Sequence, residues 1–485
     1  MIHFGTDGWR AVISDTFTFS NLRSVSQAIA DAVRAPSWLE GNNLDYQPDP
    51  HTMVVGFDTR FLSDRYAVEV ARVLAANGFT VYLANGDSPT PVISHAVKAM
   101  QAIGGVMITA SHNAPRYNGV KLKAAFAGSA SPDQCHRVEV YLNDNETKAR
   151  GPNLMDYDQA KEEGLIRRFN PLTAYADHIR SIINFDAIGE NPLHVAVDSM
   201  YGSGRGVIRN LLQGTGCEVY EVRGEMNPGF GGVHPEPIAK YLGALAGAIA
   251  TGHGHIGLAT DGDADRIGAM DERGNFVDPH KIMSLALKYL VEVKGLTGSV
   301  VRTVSTTRMI DRLAKKYGLT LHETPVGFNH IADWMLKEDV LIGGEESGGI
   351  SFKGHIPEGD GVIMGLLLVE MAAVYGKTLG EMVSDLLEEV GPAYYERKDI
   401  RLKRPVEKSR MTEFLTQKVP ATIGELKVAE LSQVDGVKYI MDDDSWLLIR
   451  PSGTEPVLRV YAEGRSQQAV KDLLGYGNEV ADSVV

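Results

Sequence analysis

Residues 104–123 read GGVMITASHNAPRYNGVKLK, and this stretch decides the fold. Its first five residues are apolar and short, as in a buried strand. The chain then turns small and polar at Thr109-Ala110-Ser111-His112-Asn113, and a turn cluster follows over 114–119. A strand that ends in a Ser within a polar loop can present a nucleophile above a sheet. His112 and Asn113 are placed to donate hydrogen bonds to an anion held on Ser111. Lys121 and Lys123 alternate along the returning strand, so both face one side. Neighbours in an extended chain point apart, so a Ser111–His112 dyad is not expected.

The same plan recurs on either side. Residues 53–60 form a buried strand running into a loop, a helical pattern continues through Ala75, and 80–84 is again a strand. Residues 193–198, 206–212, 218–222 and 256–260 repeat strand, helix, strand and strand. A third unit starts near Asp278, with a helix over 282–293 and strands over 299–304 and 340–342. Strand–helix alternation of this kind predicts doubly wound sheets. After Gly391-Pro392 the pattern changes to strands joined by short loops, an Asp435-Gly436 turn and one helix from Gln467. The expected fold is α/β: three related α/β domains plus a smaller C-terminal α+β domain. The boundaries are set at 1–170, 171–277, 278–392 and 393–485.

Composition narrows the function. A chain of 485 residues exceeds one core and calls for roughly three or four domains. A net charge of −14 argues against nucleic-acid binding, which needs a basic face. An anionic substrate is allowed only where cations are concentrated locally. No apolar run is long enough for a membrane span, and the start lacks the basic and apolar regions of a signal peptide. A cytoplasmic location is expected. Cys135 and Cys217 have no metal spacing and are expected to be free.

Asp261, Asp263 and Asp265 alternate with small residues. In a looping segment that spacing turns three hard oxygen donors to one side, a divalent-cation site with Mg²⁺ the default beside phosphates. An EF-hand is rejected, because Arg266 stands where its loop requires Gly and a strand precedes the run. A dehalogenase-type phosphatase motif is also a poor fit, with Asp265 in its Thr/Val place. Arg450-Pro451-Ser452-Gly453-Thr454 offers a guanidinium, two hydroxyls and backbone N–H groups around a glycine, which suits a phosphate dianion. Arg459 adds a cation on the next strand. Glu345, Glu346 and Ser347, framed by glycines, form a carboxylate loop that can accept hydrogen bonds from sugar hydroxyls. Arg10 follows a Gly/Asp-Gly turn and suits a phosphate. Two matches are decoys. The GxGxxG over 252–257 precedes a strand instead of following one, and Gly376-Lys377-Thr378 lacks the upstream Gly of a P-loop.

Taken together and in this order, TASHN, DGDADR, GEESGG and RPSGTEP resemble the α-D-phosphohexomutases, over a match from Gly5 to about Tyr461. The resemblance implies four domains around a central cleft and Ser111 as the phosphorylated nucleophile. It implies Mg²⁺ held by Asp261, Asp263, Asp265 and an oxygen of phosphorylated Ser111. Glu345 and Ser347 would contact the sugar; Arg450, Ser452, Gly453 and Thr454 would hold the non-reacting phosphate. Arg10 and Lys121 match basic residues that assist transfer, with His112 and Arg266 as further cations. For the hydroxyl's proton, Lys121 and His355 are both open. Asn329 stands where the family often has Lys, and Ala114 where Pro is usual. The implied activity interconverts hexose 1- and 6-phosphates, primed by glucose 1,6-bisphosphate, in a monomer or homodimer. Glu345-Glu346-Ser347-Gly348-Gly349 resembles the glucose type, and the resemblance also implies activity on mannose phosphates. A phosphoglucosamine mutase is the first alternative, and a sugar-phosphate phosphatase the second.

Overall fold

The structure is a computed structural model that describes residues 2–483 apart from 6, 7, 41, 43, 405, 418 and 452–455. Its first sheet has six strands in the order Trp9–Val12, Tyr117–Ala124, Ala102–Ile108, Asp49–Phe57, Thr80–Ala84, Ile166–Phe169. Asp49–Phe57 runs parallel to both Thr80–Ala84 and Ala102–Ile108, while Tyr117–Ala124 returns antiparallel. Every residue of Ala102–Ile108 is buried, as expected of a central strand covered on both faces.

The second sheet orders Phe276–Val277, Ile267–Met270, Ile256–Thr260, His194–Asp198, Glu218–Val222. The third orders Leu321–Thr324, Ser299–Thr303, Val340–Gly344, Ile350–Phe352. The three sheets share one arrangement. A parallel strand leads into a short loop, and the chain comes back antiparallel beside it. The three such loops are 109–116, 261–266 and 345–349, which carry Ser111, the aspartates and Glu345. The repeat suspected from the strand pattern is therefore structural, and it sets three chemically different loops at one topological place.

The fourth sheet is antiparallel, with strands from Tyr394–Arg401 to Val457–Gly464. It carries two helices, Lys408–Gln417 and Gln467–Ser483, where one is expected. Lys408–Gln417 buries only Met411 and Leu415, so its apolar signal is too thin to read.

Helix Gly361–Tyr375 joins the second and third sheets. It is buried from Gly361 to Ala373 and packs against Ile256–Thr260 and Ile267–Met270. Apolar side chains of both sheets share one core around it. A helix that is hydrophobic all round is one that lies inside. Asp360 caps it, accepting from the N–H groups of Val362 and Ile363. No single helix among the described residues is long and apolar enough to cross a membrane.

Candidate active site

Strand Ala102–Ile108 delivers Thr109 and Ser111 to the end of the first sheet. Ser111 has φ of 51°, in the left-handed region that non-glycine residues rarely occupy. That turn brings its Oγ to 3.3 Å from His112 Nδ1 and lets it donate to Asp261 Oδ2 at 2.8 Å. The expectation that Ser111 and His112 point apart is thus corrected, because the chain is not extended here. Burial, then the guanidinium groups of Arg266 and Arg10, push the His112 imidazole well below its usual range. In the unphosphorylated loop this disfavours the His112 cation expected from the sequence. Arg10, on Trp9–Val12, donates from Nη1 to Asn113 Oδ1 at 2.7 Å, so it stands at the same loop.

Asp261, Asp263 and Asp265 converge from a different domain, with one carboxylate oxygen of each within 4.8 Å of the others. Lys121 Nζ lies 2.6 Å from Asp265 Oδ2 and 3.0 Å from Asp263 Oδ2. Thr90 donates its hydroxyl to Asp263 Oδ2 at 2.6 Å. Burial pushes Asp263 up, but Lys121 and Thr90 outweigh it and hold the carboxyl well below the usual range. Asp261 goes the other way: burial, then Asp265 and Asp263, push it well above. The buried Asp263 Oδ1 has no hydrogen-bond partner. Clustered hard oxygens, one of them orphaned, in a site that resists full ionisation are what a divalent cation relieves. The donor set fits Mg²⁺.

The loops touch. A Cβ on Gly262 would stand 2.5 Å from the Ser111 carbonyl oxygen, so only glycine lets the two backbones approach. Ile267 donates its N–H to Gly348 O at 3.1 Å, joining the aspartate loop to the Glu345 loop. Arg266 donates its own N–H to Asp261 Oδ1 at 3.2 Å. Burial acts to lower the guanidinium's affinity for its proton, and Asp265 and Asp261 more than reverse that.

Glu345 accepts the N–H of Gly327 at 2.9 Å, and Ser347 Oγ lies 3.5 Å from Glu345 Oε2. Burial pushes the Glu345 carboxyl up to about 7, with Arg266 pulling the other way. Glu346 is engaged by Arg397 of the fourth domain at 3.2 Å. Asn329 is buried, its Oδ1 2.5 Å from where a Cβ on Gly327 would lie.

In the fourth domain Arg450 binds Asp435 at 2.5 Å. Asp435 also accepts from Val326 N at 3.3 Å, so the phosphate-loop arginine is tied to the third domain. Arg459 sits directly opposite Arg450 on the paired strand. Ser452, Gly453 and Thr454 lie outside the described residues. His355 is placed in a stack with His178 and His95, its Nδ1 3.0 Å from His178 Nε2 and its Nε2 3.0 Å from Asp360. That engagement counts against its use as the proton acceptor. The sequence reading omits Thr90, Asp58 and Arg60. The available signal is Asp58-Thr59-Arg60 at the end of a buried strand, polar residues that the sheet end would have to satisfy.

Models of the phosphoglucomutase/phosphomannomutase α/β/α domains I, II and III match residues 1–149, 173–274 and 278–390, and that of the C-terminal domain matches 403–475. A phosphoglucomutase/phosphomannomutase of Thermococcus kodakarensis is 30% identical over 485 residues, covering 99% of both chains. A phosphoglucosamine mutase of Frankia alni is 30% identical over 480 residues, covering 97% of this chain and 95% of its own. A protein of Thermus thermophilus, crystallised under the name phosphomannomutase, superposes with a TM-score of 0.84 at 32% identity over 99% of each chain. With all four domain models matched in order along the chain, the protein belongs to the α-D-phosphohexomutase family of phosphotransferase isomerases.

Proposed function

We propose that the chain interconverts hexose 1-phosphate and hexose 6-phosphate through a phosphorylated Ser111 and a hexose 1,6-bisphosphate. Glucose phosphates are the preferred substrates, with mannose phosphates also accepted. The observation that carries this is Ser111 Oγ bonded to Asp261 within a buried cluster of three aspartates and Lys121. A phosphoryl group on Ser111 would give a use both to the carboxylate cluster, through a bound divalent cation, and to the surrounding cations.

A phosphoserine carries about −1.5 to −2 charges at neutral pH. Mg²⁺ held by Asp261, Asp263, Asp265 and a phosphoryl oxygen would supply charge neutralisation there. Arg10 at the Ser111 loop, Lys121 on the returning strand and Arg266 of the aspartate loop would take the phosphoryl oxygens. Transfer breaks the Ser111 Oγ–P bond and forms a P–O bond to a sugar hydroxyl, whose proton leaves with bond formation. His112 Nδ1, 3.3 Å from Ser111 Oγ, is the group of this loop that can take that proton, while Lys121 Nζ, paired with Asp263 and Asp265 on the returning strand, takes it only after giving up its own. Glu345 and Ser347 orient the sugar. Arg450 and Arg459, with Ser452, Gly453 and Thr454, hold the phosphate that does not react. The bisphosphate then turns over so that its other phosphate faces Ser111, and glucose 1,6-bisphosphate primes an unphosphorylated enzyme.

Glu346 favours the glucose type over the amino-sugar type, because amino-sugar members usually differ at this second Glu. A coupled assay on glucose, mannose and glucosamine 1-phosphates tests the preference. Mass spectrometry tests the mechanism: an added phosphate mapping to Ser111 is expected. Steady release of inorganic phosphate in place of the isomer would establish the phosphatase reading.

A further inference from the structure

Arg60 has no part in the chemistry above, yet its side chain is wholly buried under the nucleophile loop. Its guanidinium donates to four backbone carbonyls, three in that loop and one at the start of the returning strand. Nη2 reaches Ser111 O at 2.5 Å and Asn113 O at 2.6 Å; Nη1 reaches Ala114 O and Tyr117 O, each at 3.0 Å. Its Nε lies 3.2 Å from Asp58 Oδ2. The ring of Phe230, from the second domain, packs 4.9 Å from the guanidinium carbon.

The contacts close into a circuit. Ser111 N–H donates to Thr109 Oγ1 at 2.8 Å, and Thr109 donates to Asp58 Oδ2 at 2.7 Å. Asp58 pairs with Arg60, and Arg60 returns to the carbonyl of Ser111. Both backbone polar groups of the nucleophile are therefore held from one side, and the residue so held is the one at φ 51°. A left-handed residue persists only where its surroundings over-determine it. Asp58 offsets the charge of Arg60, so what reaches Ser111 is geometry more than field.

We propose that Arg60 is a positioning residue for phosphoryl transfer. Its planar fork, anchored by Asp58, holds Ser111 in the left-handed conformation that aims Oγ at the aspartate cluster. A lysine keeps the charge but lacks the fork that spans four carbonyls. This inference rests on the assignment of Ser111 as the phosphoryl carrier.

The test uses the full chain with Mg²⁺ and glucose 1-phosphate. A misplacement of about 1 Å at the nucleophile costs on the order of 100-fold in rate, so Arg60→Lys is expected to lower kcat about that much. KM should change less than about threefold, because the sugar and distal phosphate sites lie on other domains. Single-turnover transfer from phosphorylated Ser111 should slow in parallel. In Arg60→Ala, added guanidinium ion should restore part of kcat, which loss of fold would not allow. If neither Arg60 variant folds, Thr109→Val breaks the same circuit with one hydroxyl removed, and kcat should fall with KM held. A folded Arg60→Lys or Thr109→Val enzyme with wild-type kcat, or with its loss confined to KM, overturns the proposal. A wild-type protein without phosphorylatable Ser111 or mutase turnover would instead overturn the functional reading beneath it.

Discussion

Glu358→Gln should destabilise this protein more than most single substitutions. Lys123 is fully buried, and its Nζ lies 2.6 Å from Glu358 Oε2 and 3.1 Å from Ser129 Oγ. Ser94 donates to the same carboxylate oxygen at 2.9 Å. The pair bridges the first sheet's returning strand to the segment before helix Gly361–Tyr375. Glutamine keeps the shape and removes only the charge, leaving a buried ammonium without its counter-ion. Breaking one side of such a pair costs about 3–5 kcal/mol. With a slope of about 3 kcal/mol/M for the transition of the first domain alone, its urea midpoint should drop by about 1 M or more. Trp9 and Trp38, both buried in the first domain, report the transition by fluorescence. Lys123→Met on its own leaves the converse charge. The double variant loses both charges together and should recover a coupling of at least about 2 kcal/mol in the cycle. A Glu358→Gln midpoint within about 0.3 M of wild type, or a coupling near zero, would refute the reasoning, since about 1 kcal/mol is what an ordinary hydrogen bond contributes.

Lys121→Met should lower mutase turnover by about 100- to 1,000-fold in the coupled assay, the scale of losing one preorganised donor in a site of developing charge. A loss under tenfold would leave Lys121 outside the transfer site. Glu345, pushed up to about 7, takes on a proton as pH falls below that value, so KM for the hexose phosphate should rise from pH 8 to 6 and flatten in Glu345→Gln. Its effect on stability has the opposite sign. The folded value lies above the unfolded one of about 4.3, so the contribution is full below about 4.3 and lost as pH rises through 7. His95 and His178, lowered by burial to about 4, contribute stability that is present above about 6.5 and lost as pH falls through 4. Glu345 opposes the two histidines over this range, so the readout is a difference: between pH 7 and 5 the urea midpoint of His178→Gln should lose less, or gain more, than that of wild type.

Much of the fold is legible because its strands are short apolar runs with hard stops. AIGGVMI ends at Thr109 and IGLAT at Asp261, and in both cases the stop is the loop that carries the chemistry. The aspartate cluster is legible from its spacing, although the loop that gathers it turns, with Ala264 at φ 57°, instead of running extended. Other features have no local signal. Helix Gly361–Tyr375 is apolar on every face, so periodicity cannot mark which side it buries or that it serves two sheets. The proximity of Ser111 and His112 depends on one positive φ, which the neighbouring residues do not announce. The downward push on the His112 imidazole comes from burial and from Arg266 and Arg10, respectively about 150 and 100 residues distant along the chain. Arg60 is invisible for a related reason: its partners are carbonyl oxygens, which every residue has.

The contact between Gly262 and the Ser111 carbonyl sets how the molecule is able to flex. With no room for even a methyl group between them, the Ser111 loop and the aspartate loop pack backbone against backbone. Arg450, by contrast, reaches the rest of the site through Asp435 and the N–H of Val326. On the proposed mechanism, an intermediate that swivels end over end would gain its clearance on the Arg450 side. A chimera that borrows its last domain from a relative should accordingly change how tightly the sugar phosphate is gripped while leaving bond-making at the serine unaltered.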